Sequence, residues 1–154
     1  ALRGGKTEVT LPDGATIRLD VPKGVEPGLK IRLKGRGAEA AGGERGDLYV
    51  TFQVEPHPQF RREGNDLSTG VEVNPLEALL GTTKSVRTPY GKQIKITIPK
   101  GSQPGDRLRL REQGVETDSG RGDLFAEIEM KVPKDLTKEQ EATLRRAAEE
   151  TGLL

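Results

Sequence analysis

Apolar and polar residues alternate over short runs of this chain, the period of two that marks strands with one wet face. Ile17-Arg18-Leu19-Asp20-Val21 alternates in this way, and so does Ile94-Lys95-Ile96-Thr97-Ile98. Ile31–Leu33 and Leu108–Leu110 make a second couple, Leu48–Val54 and Leu124–Lys131 a third, and Leu67–Val73 adds one more strand. These couples belong to an internal repeat. A shift of 77 residues lays 1–37 onto 78–114 without a gap, and fifteen of the 37 positions are identical. After a one-residue slip, Arg45-Gly46-Asp47-Leu48 meets Arg121-Gly122-Asp123-Leu124. The punctuation repeats as well: Pro12-Asp13-Gly14 matches Pro89-Tyr90-Gly91, and Pro22-Lys23-Gly24 matches Pro99-Lys100-Gly101. Pro presets φ and Gly supplies the positive φ of tight turns, so both copies read as antiparallel β units. Strands tied by such turns are not expected to pair in parallel.

Two segments break the period of two. Asn74–Gly81 has a capping Asn, a Pro at the first position and a closing Gly, which predicts a helix of one or two turns. Thr137–Thr151 opens on the capping-box pattern Thr137-Lys138-Glu139-Gln140 and meets a stop at Gly152. Its apolar stripe is thin, so it needs a partner surface, for which a second subunit is the natural supplier. The expected fold is all-β: two tandem, internally repeated, antiparallel β-sandwich-like domains with a short C-terminal helix. The expected bounds are 1–57, 58–133 and 134–154, with the first domain beginning inside its own unit.

Composition narrows the chemistry. Hydrophobic residues make up 32% and aromatic residues 3% of the 154 positions, so each core must be thin and aliphatic. Basic and acidic residues number 25 and 24, a balance that argues against nucleic acid as a partner. There is no cysteine and no span of about 20 apolar residues, so disulfides and membrane crossing are not expected, and a cytoplasmic location fits. His57 is the sole histidine and sits between two prolines, where it reads as a linker residue. No catalytic set, metal or cofactor follows, and an enzyme is not expected. Gly35-Arg36-Gly37 lacks the spacing of a phosphate cradle, and the two Arg-Gly-Asp triplets read as turn elements. Val9, Leu11 and Phe60 remain open: they either fill the thin core or line a shallow apolar groove beside an open strand edge, suited to an added peptide strand.

Longer motifs then resemble the C-terminal substrate-binding region of DnaJ-type co-chaperones, of the zinc-free kind. They include Gly28-Leu29-Lys30-Ile31-Arg32-Leu33-Lys34-Gly35-Arg36-Gly37, Glu55-Pro56-His57-Pro58-Gln59-Phe60-Arg61-Arg62-Glu63-Gly64-Asn65-Asp66-Leu67, and Val132-Pro133-Lys134-Asp135-Leu136-Thr137. The J domain with its His-Pro-Asp loop, the Gly/Phe linker and the cysteine-rich module have no match here. The resemblance implies binding of extended apolar segments of unfolded clients at Val9, Leu11 and Phe60. It further implies delivery to a DnaK-type chaperone, whose acidic tail has Lys6 and Lys30 as candidate charge partners. It also implies a homodimer held through Leu144, Ala148, Leu153 and Leu154. The alternatives are a DNA-associated J-protein fragment and a purely structural dimerisation module.

Overall fold

The computed structural model describes residues 1–39 and 41–154. Two antiparallel hairpins come first, β1 (Gly5–Thr10) with β2 (Thr16–Val21) and β3 (Lys30–Leu33) with β4 (Leu48–Thr51). β5 (Arg61–Glu63) and β6 (Asp66–Val73) follow, then helix α1 (Pro75–Leu80) and the hairpin β7 (Thr82–Arg87) with β8 (Gln93–Ile98). β9 (Arg107–Leu110), the small ribbon β10 (Glu116–Thr117) and β11 (Gly120–Arg121), β12 (Leu124–Met130) and helix α2 (Lys138–Glu150) complete the order.

The repeat is a repeat of strands and of register. β1, β2 and β3 reappear 77 residues later as β7, β8 and β9 with identical lengths. Gly5 faces Val21 as Thr82 faces Ile98, and Leu33 faces Leu48 as Leu110 faces Leu124. The connecting turns match down to their hydrogen bonds. The Leu11 N–H donates to the Ala15 carbonyl at 2.7 Å, and the Thr88 N–H donates to the Lys92 carbonyl at 2.7 Å.

The Arg-Gly-Asp triplets lie at strand pairings and not in the turns themselves, Arg45 in a bridge with Glu39 and Arg121 at the end of β11, and their aspartates brace the neighbouring bends. Asp47 accepts from the Arg32 guanidinium and from the Gly35 N–H at 2.9 Å; Asp123 accepts from Arg109 and from the Glu112 N–H at 2.8 Å. Each carboxylate thus pins the bend after β3 or β9 to the strand that returns. A Cβ on Gly37 would lie 2.6 Å from the Asp47 carbonyl, and one on Gly114 2.6 Å from the Asp123 carbonyl, so neither copy has room for a side chain there.

One pairing departs from the antiparallel reading. In the four-stranded sheet β5-β6-β12-β9, β6 and β12 run parallel from Leu67 beside Leu124 to Val73 beside Met130. The tight-turn argument excludes parallel pairing only for strands that such turns join. Everything from α1 to β11 lies between β6 and β12, far more than the dozen residues a parallel crossover needs.

That strand separates the copies energetically. β12 is paired on both edges, whereas among the described residues β4 pairs with β3 alone. Val86, Ile98, Leu110, Leu124 and Ala126 are buried, and their first-copy equivalents Val9, Val21, Leu33, Leu48 and Val50 are only half-buried. The continuous core is accordingly built on β6, α1, β8 and β12, while Leu11, Leu19 and Val25 are the buried hydrophobics of the first copy. Leu124→Ala is expected to cost about 2–5 kcal/mol in urea unfolding, and Leu48→Ala distinctly less. Equal costs would show that the two equivalent sites are equally packed.

The braces also give a pH dependence. The backbone N–H of Glu112, helped by Arg109, holds the Asp123 carboxyl below its ordinary value of 3.8, and the N–H of Gly35 with Arg32 does the same for Asp47. A folded value below the unfolded one means stability that is complete above pH 3.8 and lost as pH falls through the folded value. Acid melting should therefore steepen below about pH 4, and Asp123→Asn should flatten that slope while lowering neutral-pH stability.

Candidate functional site: a groove between two open strand edges

β5 covers β6 only at Asp66, Leu67 and Ser68, so among the described residues Thr69–Val73 has no strand partner on that side. Among the described residues β7 pairs with β8 alone, which leaves its other edge unpaired from Thr82 to Arg87. Between these edges lies a depression of about 500 Å³, lined by Thr69–Glu72 of β6, Lys84–Arg87 of β7, and Pro58, Gln59, Phe60 and Glu129. Both strands contribute from both faces. Val71 and Val86 are buried, whereas Gly70, Glu72, Ser85 and Arg87 are exposed, the pattern of strands met edge-on. The Glu129 carboxylate lies over Gly70 on this wall.

Helix α1 sets the distance between the edges. Asn74 accepts the Glu77 N–H at 2.9 Å, Glu77 accepts the Asn74 N–H at 3.1 Å, and Gly81 turns the chain into β7 at φ +81°. Lys84 of β7 donates to Glu77 at 2.8 Å, tying the groove wall to the cap. Lys84 and the Asn74 N–H hold the Glu77 carboxyl below its ordinary range.

The expected site residues separate in space. Phe60 lines the groove, packs half-buried against the second-copy core, and tilts on the His57 ring with centroids 5.1 Å apart. His57 is a turn residue, its Nδ1 accepting the Gln59 N–H at 3.1 Å. Phe60 also lines a second, more apolar depression of about 480 Å³ at the junction of the copies, with Leu2, Pro27, Val54 and Pro89. Val9 and Leu11 line neither depression: Val9 is half-buried on β1, and Leu11, just beyond it, is 3% exposed. Lys6 on β1 and Lys30 on β3 are exposed. Leu144 and Ala148 are half-buried on a helix that buries no residue, and Leu153 and Leu154 are exposed beyond it.

The groove between β6 and β7 is not apparent from the residue pattern alone. The repeat was the available signal, because β7 is the second-copy counterpart of β1, whose edge away from β2 is open as well. Between the copies, Arg62 donates to the Gly24 and Val25 carbonyls at 2.8 and 2.9 Å, and Lys23 pairs with Glu116 at 3.3 Å. A Cβ on Gly24 would meet the Glu116 carbonyl at 2.5 Å, so this contact requires glycine.

The family that these residues match is the DnaJ C terminal domain. The family model matches residues 1–133, and the chain belongs to that family. It is similar to Chaperone protein DnaJ of Ruminiclostridium cellulolyticum, 40% identical over 88% of this chain and 36% of that protein. It is also similar to Chaperone protein DnaJ 2 of a Synechocystis strain, 37% identical over 97% of this chain and 47% of the relative. A third relative, Chaperone protein DnaJ of Acetivibrio thermocellus, is 38% identical over 97% of this chain and 39% of its own length. The chain thus spans between a third and a half of the relatives it matches. Among the described residues no helix is long and apolar enough to cross a membrane.

Phe60 gives the test of this site. Its ring serves both core and groove, so Phe60→Ser should cost about 1.5–3 kcal/mol and weaken peptide binding together. Weakened binding with an unchanged melting temperature would show that the ring serves the groove alone.

Proposed function

We propose that this chain is the client-binding part of a DnaJ-type co-chaperone, holding extended apolar segments of unfolded polypeptides by strand addition. The observation that carries the reading is the trough between the unpaired edges of β6 and β7. A strand laid there meets backbone donors and acceptors on its sides, while alternate side chains reach toward Val71, Val86 and Phe60. Backbone pairing is indifferent to client sequence, and the small apolar floor contributes on the order of 1.5–3 kcal/mol per buried side chain. Set against the ordering of a flexible client, this gives weak, promiscuous, rapidly reversed binding. Release of that kind suits a protein that passes clients to a DnaK-type chaperone.

The repeat extends the reading to the first copy, where β1 with Val9 and Leu11 supplies the equivalent edge. The exposed Lys6 and Lys30 are the cations available there for an acidic chaperone tail. Helix α2 pairs the subunit with a second copy through Leu144, Ala148, Leu153 and Leu154.

Titration of an unfolded apolar peptide at about 50 and 200 mM salt tests the proposal. Client binding should be nearly unchanged between the two. A nucleic-acid interface making 6–10 phosphate contacts would lose roughly a thousandfold or more over that range. No peptide binding alongside intact self-association would instead mark a structural dimerisation module.

A further inference from the structure

Three carboxylates stand on one face of the sheet beside the trough, Glu72 on β6 and Glu127 and Glu129 on β12. Two of them are paired. Glu127 meets the Arg61 guanidinium at 3.6 Å, and Glu72 meets the Lys131 ammonium at 3.2 Å. Glu129 makes no ion pair or side-chain hydrogen bond among the described residues, although it lies directly beside Glu72 in the parallel register. Like charges facing each other on neighbouring strands repel, and Lys131 relieves only one member of this pair.

Glu129 belongs to β12, one strand behind the open edge, yet it lines the trough. Gly70 is the reason. It has no side chain to stand between that carboxylate and the edge, and the carboxylate lies over it. Glu129 also borders a smaller depression of about 250 Å³ beside the trough, with His57, Phe60 and Arg61. The facing wall has the opposite sign. Its Lys84 is held by Glu77 at 2.8 Å, and its Arg87 makes no ion pair among the described residues. The trough thus carries an unpaired anion on its β6 side and an unpaired cation on its β7 side.

We propose that Glu129 is a specificity-determining residue of the trough, taking the ammonium or guanidinium of a basic client residue, so that the preferred clients are apolar segments interrupted by lysine or arginine. The inference rests on strand addition at β6 and β7 and adds the client chemistry. Alternate side chains of an extended segment point to opposite faces. Those that turn inward meet Val71 and Val86, and those that turn outward pass Gly70 and Glu72. An outward lysine or arginine beside Gly70 brings its charge against the Glu129 carboxylate, while its aliphatic stem covers the strand edge. A cation at this point also relieves the repulsion between Glu129 and Glu72, which a neutral hydrogen-bond donor does only in part. Arg87 on the far wall repels the same cation and so confines it to the β6 side.

Binding of two extended apolar peptides to the full chain tests this, the two differing at one outward position that carries Lys or Gln. By fluorescence anisotropy at about 50 mM salt, the Lys peptide should bind roughly two- to fivefold tighter, the range of an exposed ion pair. That advantage should shrink at about 200 mM salt. Glu129→Gln should abolish it and Glu129→Lys should invert it, whereas Glu150→Gln on α2, with the same change of charge, should leave it in place. Glu129 is exposed, so the circular dichroism of the strands should not change. If the two peptides bind the parent chain equally, or if Glu129→Gln keeps the lysine advantage, the inference falls with strand addition intact. If neither peptide binds the parent chain, strand addition itself fails and takes the inference with it.

Discussion

The parallel pairing of β6 with β12 is the contact on which the rest of the second copy depends. It places Leu67, Val71 and Val73 beside Leu124, Ile128 and their neighbours, and so closes the only continuous core cluster of the described residues. It also ends β6 at Asn74, where the capped α1 begins, and α1 in turn sets β7 opposite the free half of β6. In the first copy, where β4 pairs with β3 alone among the described residues, the same apolar positions are half-buried.

The groove is a consequence of that geometry and of a shortfall. β5 covers only three residues of β6, so the remainder of that edge has no strand partner among the described residues and borders the trough. Unpaired edges invite other chains, and proteins ordinarily blunt them with charge, proline or cover. Here Pro58 and the charged Glu72, Lys84 and Arg87 stand at the rim, while Val71, Val86 and Phe60 keep the floor apolar. The edge is guarded against flat aggregation yet open to one extended strand. That balance suits the proposed holding of an extended client.

Much of this was legible in the residues because turns and register are local. Pro12-Asp13-Gly14 and Pro89-Tyr90-Gly91 fix the hairpin ends, and alternation from Ile17 and Ile94 fixes which face turns inward. Both helix caps followed from short motifs as well, and the repeated triplets marked the aspartates that brace the bends, Asp47 and Asp123. The parallel pair was not legible, since its partners lie far apart and no turn residue reports on them. The residue pattern leaves Phe60 open between core and groove, and its ring packs against the second-copy core while lining the trough of β6 and β7. Its neighbourhood is set by β5 folding back on β6, a contact that sequence spacing alone does not fix. Leu11 shows the same limit: alternation with Val9 placed it on a strand, but only packing shows that it is buried.

The central claim is that an extended client completes the open edges of β6 and β7. Amide hydrogen exchange, with and without an unfolded apolar polypeptide, reads those edges directly. The account predicts new protection within 69–73 and 82–87, where strand addition would satisfy backbone groups that now lack a partner. Bound client with unchanged exchange in both segments, and protection confined to other residues, would contradict it.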